Sequence, residues 1–230
     1  MSTRHRYPRK PARGSRRGWT PAKLRIVAGE LGGRKIEYNG DPETRPMKER
    51  TREAVFSLLG GYLPDMLAID LFSGTGILGF EAISRGASAG ILLELSRTSV
   101  SHILQNAEKL RILDRVQVHH VDTLRWVRGG AVERLPQHLP WVVFLCPPYR
   151  MWHEQTEALG NLLAAIFHAA PPHSQFICEA DERFDLATTF PLFSWDMRHY
   201  PPARVGVLRK REVHEEQDDS LRLSPPSVTE

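Results

Sequence analysis

The chain has only two cysteines in 230 residues, Cys146 and Cys178, and neither belongs to a cluster with metal-ligand spacing. This excludes a disulfide framework or a zinc site as the organising principle, and no metal is expected. No uninterrupted apolar run approaches the roughly 20 residues of a membrane-spanning helix. The basic N-terminal residues have no apolar segment behind them, so no secretory signal is expected either. The expectation is a soluble, cytoplasmic, monomeric protein with no membrane partner. No internal repeat is evident.

What is present suffices for one good core: 41% of residues are hydrophobic and 25% charged, within the size of a single domain with arms. The charge is unevenly distributed. Residues 1–20 carry seven Lys or Arg and no acid, whereas residues 211–230 carry six acids against two arginines. Of the net +4, the two ends account for +7 and −4, leaving +1 for residues 21–210. The pI of 9.3 therefore comes from the N-terminal arm. An arginine-rich arm punctuated by proline and glycine cannot pack; it is expected to be disordered and to suit nucleic-acid phosphates, with salt-dependent affinity.

The most informative stretch is Asp70 to Gly79, D-L-F-S-G-T-G-I-L-G, directly after the apolar run Met66 to Ile69. An apolar strand, an acidic residue, a glycine-rich turn and a helical pattern begin a nucleotide-binding βαβ unit. Gly74 and Gly76 let the backbone approach a ligand where a Cβ would collide. A dinucleotide site would offer bare amides to a pyrophosphate, whereas Asp70 would repel phosphate and suits a cationic or amino-bearing ligand. A second acid, Glu94, closes the next apolar run, where a carboxylate can accept from both hydroxyls of a ribose. D-x-F-x-G-x-G-x-x-G followed by such a glutamate resembles the S-adenosylmethionine site of class I methyltransferases; a NAD or FAD fold and a structural turn are the alternatives.

Around this motif the organisation is simple. Strands are expected at 24–28 and 34–38 as a hairpin, then a linker to residue 47 and a helix over 48–59 that stops at Gly60-Gly61. Further strands are expected near 66–71, 90–95, 115–121, 141–145, 174–180, 193–200 and 204–209, with helices near 76–85, 97–111 and 153–169. Such alternation gives an α/β fold with a mostly parallel seven-stranded sheet, Rossmann-like, ending in an antiparallel edge hairpin. The expected domain bounds are 1–20 (arm), 21–62 (hairpin and helix extension), 63–210 (the sheet domain) and 211–230 (acidic tail).

The second chemical motif is Cys146-Pro147-Pro148-Tyr149, after the apolar strand Trp141 to Leu145. Ligands of open α/β sheets sit at the carboxyl ends of strands, so this loop faces the same crevice as the glycine turn. Methyltransferases that modify exocyclic amines carry [DN]-P-P-[FYW] at this position. There the Asp or Asn and a proline carbonyl accept the two amine hydrogens, and the aromatic ring stacks on the extruded base. Tyr149 fits the stacking role, whereas Cys146, a neutral thiol, is a weak acceptor.

The hairpin segment Leu24 to Gly29 with Gly33-Arg34-Lys35, then Arg45-Pro46 and Arg50 to Leu59, resembles the N-terminal signature of the RsmD-type 16S ribosomal RNA guanine-N2 methyltransferases. The resemblance covers roughly residues 24–210 and departs from the family at Cys146, where the family has Asp. It implies methyl transfer from S-adenosylmethionine to the N2 amine of a guanine, with 16S ribosomal RNA or the small ribosomal subunit as partner. It implies that Asp70, Phe72, Ser73, Gly74 and Gly76 hold the amino-acid end of the cofactor, Glu94 the ribose and Asp122 the adenine amine. Cys146, Pro147, Pro148 and Tyr149 would form the catalytic loop, and Arg25, Arg34, Arg45, Arg50 and Arg52 would contact RNA. The alternatives are a methyltransferase fold kept for RNA binding without turnover, and an N6-adenine or glutamine methyltransferase.

Overall fold

A computed structural model of the chain describes residues 20–41 and 44–212. The expected basic arm, save Thr20, and the acidic tail, save Arg211 and Glu212, lie outside the described residues. The described residues begin with an antiparallel hairpin, β1 (Ala22–Arg25) and β2 (Lys35–Tyr38), in the register Ala22↔Tyr38 to Arg25↔Lys35. Helix α1 (Glu49–Leu58) follows. The main body alternates β3 (Leu67–Asp70), α2 (Ile77–Ser84), β4 (Ala89–Glu94), α3 (Arg97–Leu110), β5 (Val116–His120), α4 (Thr123–Arg128) and β6 (Trp141–Leu145). It ends with α5 (Tyr149–Glu154), α6 (Thr156–Ala169), β7 (Gln175–Asp181), α7 (Leu186–Thr189), β8 (Asp196–Tyr200) and β9 (Ala203–Arg209).

The seven main strands lie in the order β5-β4-β3-β6-β7-β9-β8, with the first five parallel and β9 antiparallel to both β7 and β8. This is the expected α/β sheet with an antiparallel edge hairpin. The chain winds outward from β3 first to β4 and β5, then returns to β6 on the other side. That reversal opens a crevice at the carboxyl ends of β3 and β6.

One core cluster joins the extension to the sheet: Ile26, Ile36, Val55 and Phe56 pack with Ile83, Val142, Phe144 and Ile177. Helix α2 buries the acid Glu81 completely. The Glu81 carboxylate accepts from the amides of Val27 (2.8 Å) and Ala28 (3.1 Å) and from Arg85 Nε (2.9 Å). Arg52 Nε stands 3.5 Å from Glu81 Oε2 as an ion pair without hydrogen-bond alignment. One turn further on, the Ser84 hydroxyl accepts from the amide of Leu31 and donates to the carbonyl of Ala28. A Cβ at Gly29 would lie 1.8 Å from the Ser84 carbonyl oxygen, so only glycine lets the hairpin come this close.

The structure shifts several expected boundaries. The first strand starts at Ala22 and stops at Arg25, because the chain turns inward there to present Val27 and Ala28 to Glu81. The expected helix 153–169 is two helices: α5 starts directly after Pro148, and Gln155 leaves helical geometry before α6. The edge strand expected from 193 starts at Asp196, because Phe193 and Trp195 instead pack as an aromatic cluster with Phe167. The short helices α4 and α7 carry too few residues for a periodic signal.

Candidate active site

Strand β3 delivers Asp70 to the crevice, with only 1% of the residue exposed. Neither carboxylate oxygen has a hydrogen-bond partner among the described residues. Burial pushes its pKa up to about 7; the charge of Glu94 acts in the same direction, and the nearby amides of Phe72 and Gly79 only partly oppose it. A buried acid left without donors is costly in isolation, so the arrangement calls for a donor or cation from outside the chain. The chain then turns tightly: Gly74 and Gly76 adopt φ of 54° and 79°, and the Gly76 amide donates to the Ser73 carbonyl at 2.7 Å. Phe72 is half-buried against the core on one side of the sheet, and Ser73 donates from Oγ to the Asp70 carbonyl at 2.9 Å.

Glu94, at the end of β4, braces this turn. Its two oxygens accept from the amides of Gly74 (2.7 Å) and Ser96 (2.6 Å). Burial raises its pKa, and those amides hold it down in part. Asp122, after β5, caps α4 by accepting from the Arg125 amide at 3.0 Å. Of the histidines in β5, His119 packs against Trp126 and His120 meets the Leu95 carbonyl at 3.0 Å. Thr44 crosses over the glycine turn, its Cγ2 3.2 Å from where a Cβ at Gly74 would stand.

The second wall of the crevice is the loop after β6. The carbonyl of Pro148 accepts from the Met151 amide in the first turn of α5, at 2.8 Å, which leaves the carbonyl of Pro147 as the loop's proline acceptor. Burial raises the Cys146 thiol well above its ordinary pKa, and the charges of Glu179 and Asp70 add to the effect. It is therefore a thiol, not a thiolate. Cys146 packs on one core cluster and Cys178 belongs to the other, across the sheet, so the two do not pair.

Sequence reasoning missed Glu179. It stands in β7 beside this loop; its Oε1 accepts from the Tyr149 hydroxyl at 2.9 Å and its carbonyl from Trp152 Nε1 at 2.8 Å. Burial raises its pKa, and the Tyr149 bond counters this. Part of the signal was available: the apolar run Phe176 to Cys178 is closed by an acid, Glu179, the pattern that singled out Asp70 and Glu94.

Asp70, Glu94 and the loop 146–149 thus converge on one crevice, with Asp122 on the strand beyond. The arginines do not form one group. Arg45 and Arg50 are exposed, and Arg25 is exposed but paired with Glu49. Arg34 donates to the carbonyls of Lys109 (2.6 Å) and Leu110 (3.0 Å), closing the end of α3. Arg52 corrects the expectation of an RNA contact: it is 1% exposed and spends its guanidinium on Glu81 and the carbonyls of Met47 and Arg25.

The sequence matches the family described as conserved hypothetical protein 95 over residues 24–194. A protein of Buchnera aphidicola named ribosomal RNA small subunit methyltransferase D is 33% identical over 129 residues, 56% of this chain and 64% of the relative. The match thus spans just under two thirds of that relative's length. Among solved structures, the Escherichia coli protein yhhF superposes with a TM-score of 0.66 at 22% identity, covering 83% of this chain and 99% of that one. An RNA methyltransferase of Salinibacter ruber, solved with S-adenosyl-L-homocysteine, superposes with a TM-score of 0.51 at 18% identity, covering 81% and 100%. The fold is that of the Rossmann-like class I methyltransferases.

Proposed function

Because the chain belongs to the family described as conserved hypothetical protein 95, we propose that it uses S-adenosylmethionine to methylate the N2 amine of a guanine in 16S ribosomal RNA. The observation that carries this reading is the buried, unpartnered carboxylate of Asp70 beneath a positive-φ glycine turn, facing a Pro-Pro-Tyr loop across the topological switch point. When bound, S-adenosylmethionine supplies an electrophilic methyl group. Asp70 and the turn 72–76 suit its amino-acid end, Glu94 its ribose hydroxyls and Asp122 its adenine amine. The Tyr149 ring, fixed by its hydroxyl, offers a platform on which a base stacks. The Pro147 carbonyl accepts one hydrogen of the base's amine and holds it in line. Arg45 and Arg50, exposed ahead of the crevice, are suited to RNA phosphates.

A second reading, RNA binding without turnover, is favoured by one observation: the thiol at Cys146 is a poor acceptor. Both are tested by incubating the protein with labelled S-adenosylmethionine and small ribosomal subunits that lack the modification, then digesting the RNA to nucleosides. Label in N2-methylguanosine is expected. No label, with S-adenosylhomocysteine binding intact by calorimetry, would favour the second reading.

A further inference from the structure

Strands β6 and β7 are parallel, with Leu145 opposite Cys178, so the next rung sets Cys146 opposite Glu179. Side chains alternate along strands. Phe144 and Ile177 share one core cluster, and Phe144 is also the partner of Asp70 on β3. Asp70, Cys146 and Glu179 therefore lie on one face, at the carboxyl ends of three adjacent strands. Cys146 feels the charge of both acids. Glu179 is half-buried, and its hydrogen bond to Tyr149 engages only Oε1.

Resting on the methyltransferase reading above, we propose that Glu179 is the catalytic acceptor for the substrate amine, taking from the neighbouring strand the role that the residue at 146 cannot fill. A carboxylate is a strong, charge-assisted acceptor where a thiol is a weak one. One amine hydrogen points to the Pro147 carbonyl and the other to Glu179 Oε2, which frees the nitrogen lone pair from the ring. That pair forms the new N–C bond while the methyl group's bond to sulfur breaks, its electrons staying on sulfur. The nitrogen, now cationic, releases one proton to the Glu179 carboxylate, which passes it to solvent. The Tyr149 hydroxyl keeps the carboxylate oriented throughout.

The test compares Glu179→Ala, Glu179→Gln, Tyr149→Phe and the double variant Glu179→Ala/Cys146→Asp. Each is measured for methyl incorporation, thermal unfolding and S-adenosylhomocysteine binding. With folding and binding unchanged, Glu179→Ala is expected to lose about ten- to a hundredfold in rate. Glu179→Gln, which keeps an acceptor oxygen, should lose less. Tyr149→Phe, which keeps the ring but removes the bond that orients the carboxylate, should lose activity by less than Glu179→Ala does, and Cys146→Asp in the Glu179→Ala background should restore activity. Full activity in a folded Glu179→Ala variant would overturn the proposal. So would an equal loss in Tyr149→Phe, which would reduce Glu179 to an anchor for the ring. An unmodified protein that methylates nothing would instead overturn the methyltransferase reading.

Discussion

Replacing Asp70 by Asn should make the ligand-free protein more stable at neutral pH while weakening its affinity for the cofactor. Asp70 is fully buried with no hydrogen-bond donor of normal geometry, and its pKa rises from 3.8 to about 7. A raised folded-state value means that the native protein holds a proton that the unfolded chain has released. Stability is thus greatest below the unfolded value and falls as pH rises through the window from about 4 to about 7. Integrated between pH 5 and pH 8, this single group should cost about 2 to 3 kcal/mol. Because the group is buried, no discount for solvent screening applies. The variant lacks this titration. Urea unfolding of both proteins at the two pH values is the assay. The stability difference should shift toward the variant by about 2 to 3 kcal/mol on going to pH 8, or about 5 to 10 °C in melting temperature for a domain of this size. Calorimetry should show S-adenosylhomocysteine affinity lowered by at least about tenfold, as expected for loss of a charge-assisted bond. Parallel pH profiles for the two proteins would refute the argument, since they would mean that Asp70 ionises in the fold as freely as in the unfolded chain.

Three further outcomes follow from the same geometry. Glu81→Ala should destabilise the fold by about 3 to 5 kcal/mol, because it strands two buried arginines and two amides; a loss below about 1 kcal/mol in chemical denaturation would contradict the buried network. Arg50→Ala should leave thermal stability unchanged but lower the salt slope of RNA binding by about one, whereas Arg52→Ala should lower the melting temperature; filter binding and calorimetry separate the two. Cys178, buried and held as a thiol, should react with iodoacetamide at pH 8 at least about tenfold more slowly in the native protein than in urea, and equal rates would argue against that burial.

The sheet was legible because its strands are short apolar runs closed by an acid or a turn, and β3, β4 and β6 fell where those runs lie. The crevice was legible for the same reason, since Asp70, Glu94 and the Pro-Pro-Tyr loop all mark strand ends. Arg52 was misjudged because its sequence neighbours, Arg50 and Glu53, are exposed, and a single helical turn carries both inward and outward arginines. Its partner Glu81 gave a clue that was available: a lone acid inside I-L-G-F-E-A-I-S has no solvent face to occupy. Glu179 closes an apolar run as Asp70 and Glu94 do, but its place beside the Pro-Pro-Tyr loop lay hidden, because nothing local says which strand will neighbour β6. That adjacency is a property of the sheet order, not of any window of sequence.

The link from Glu81 to the amides of Val27 and Ala28 joins residues 54 and 53 positions apart. During synthesis the hairpin therefore emerges long before Glu81, the acid that accepts from its inward-turned backbone. It has no reason to settle until β3 and α2 have followed. The extension is in this sense completed only after elements that follow it in the chain. Moving it onto another sheet would require carrying Glu81, Ser84 and Arg85 along with it.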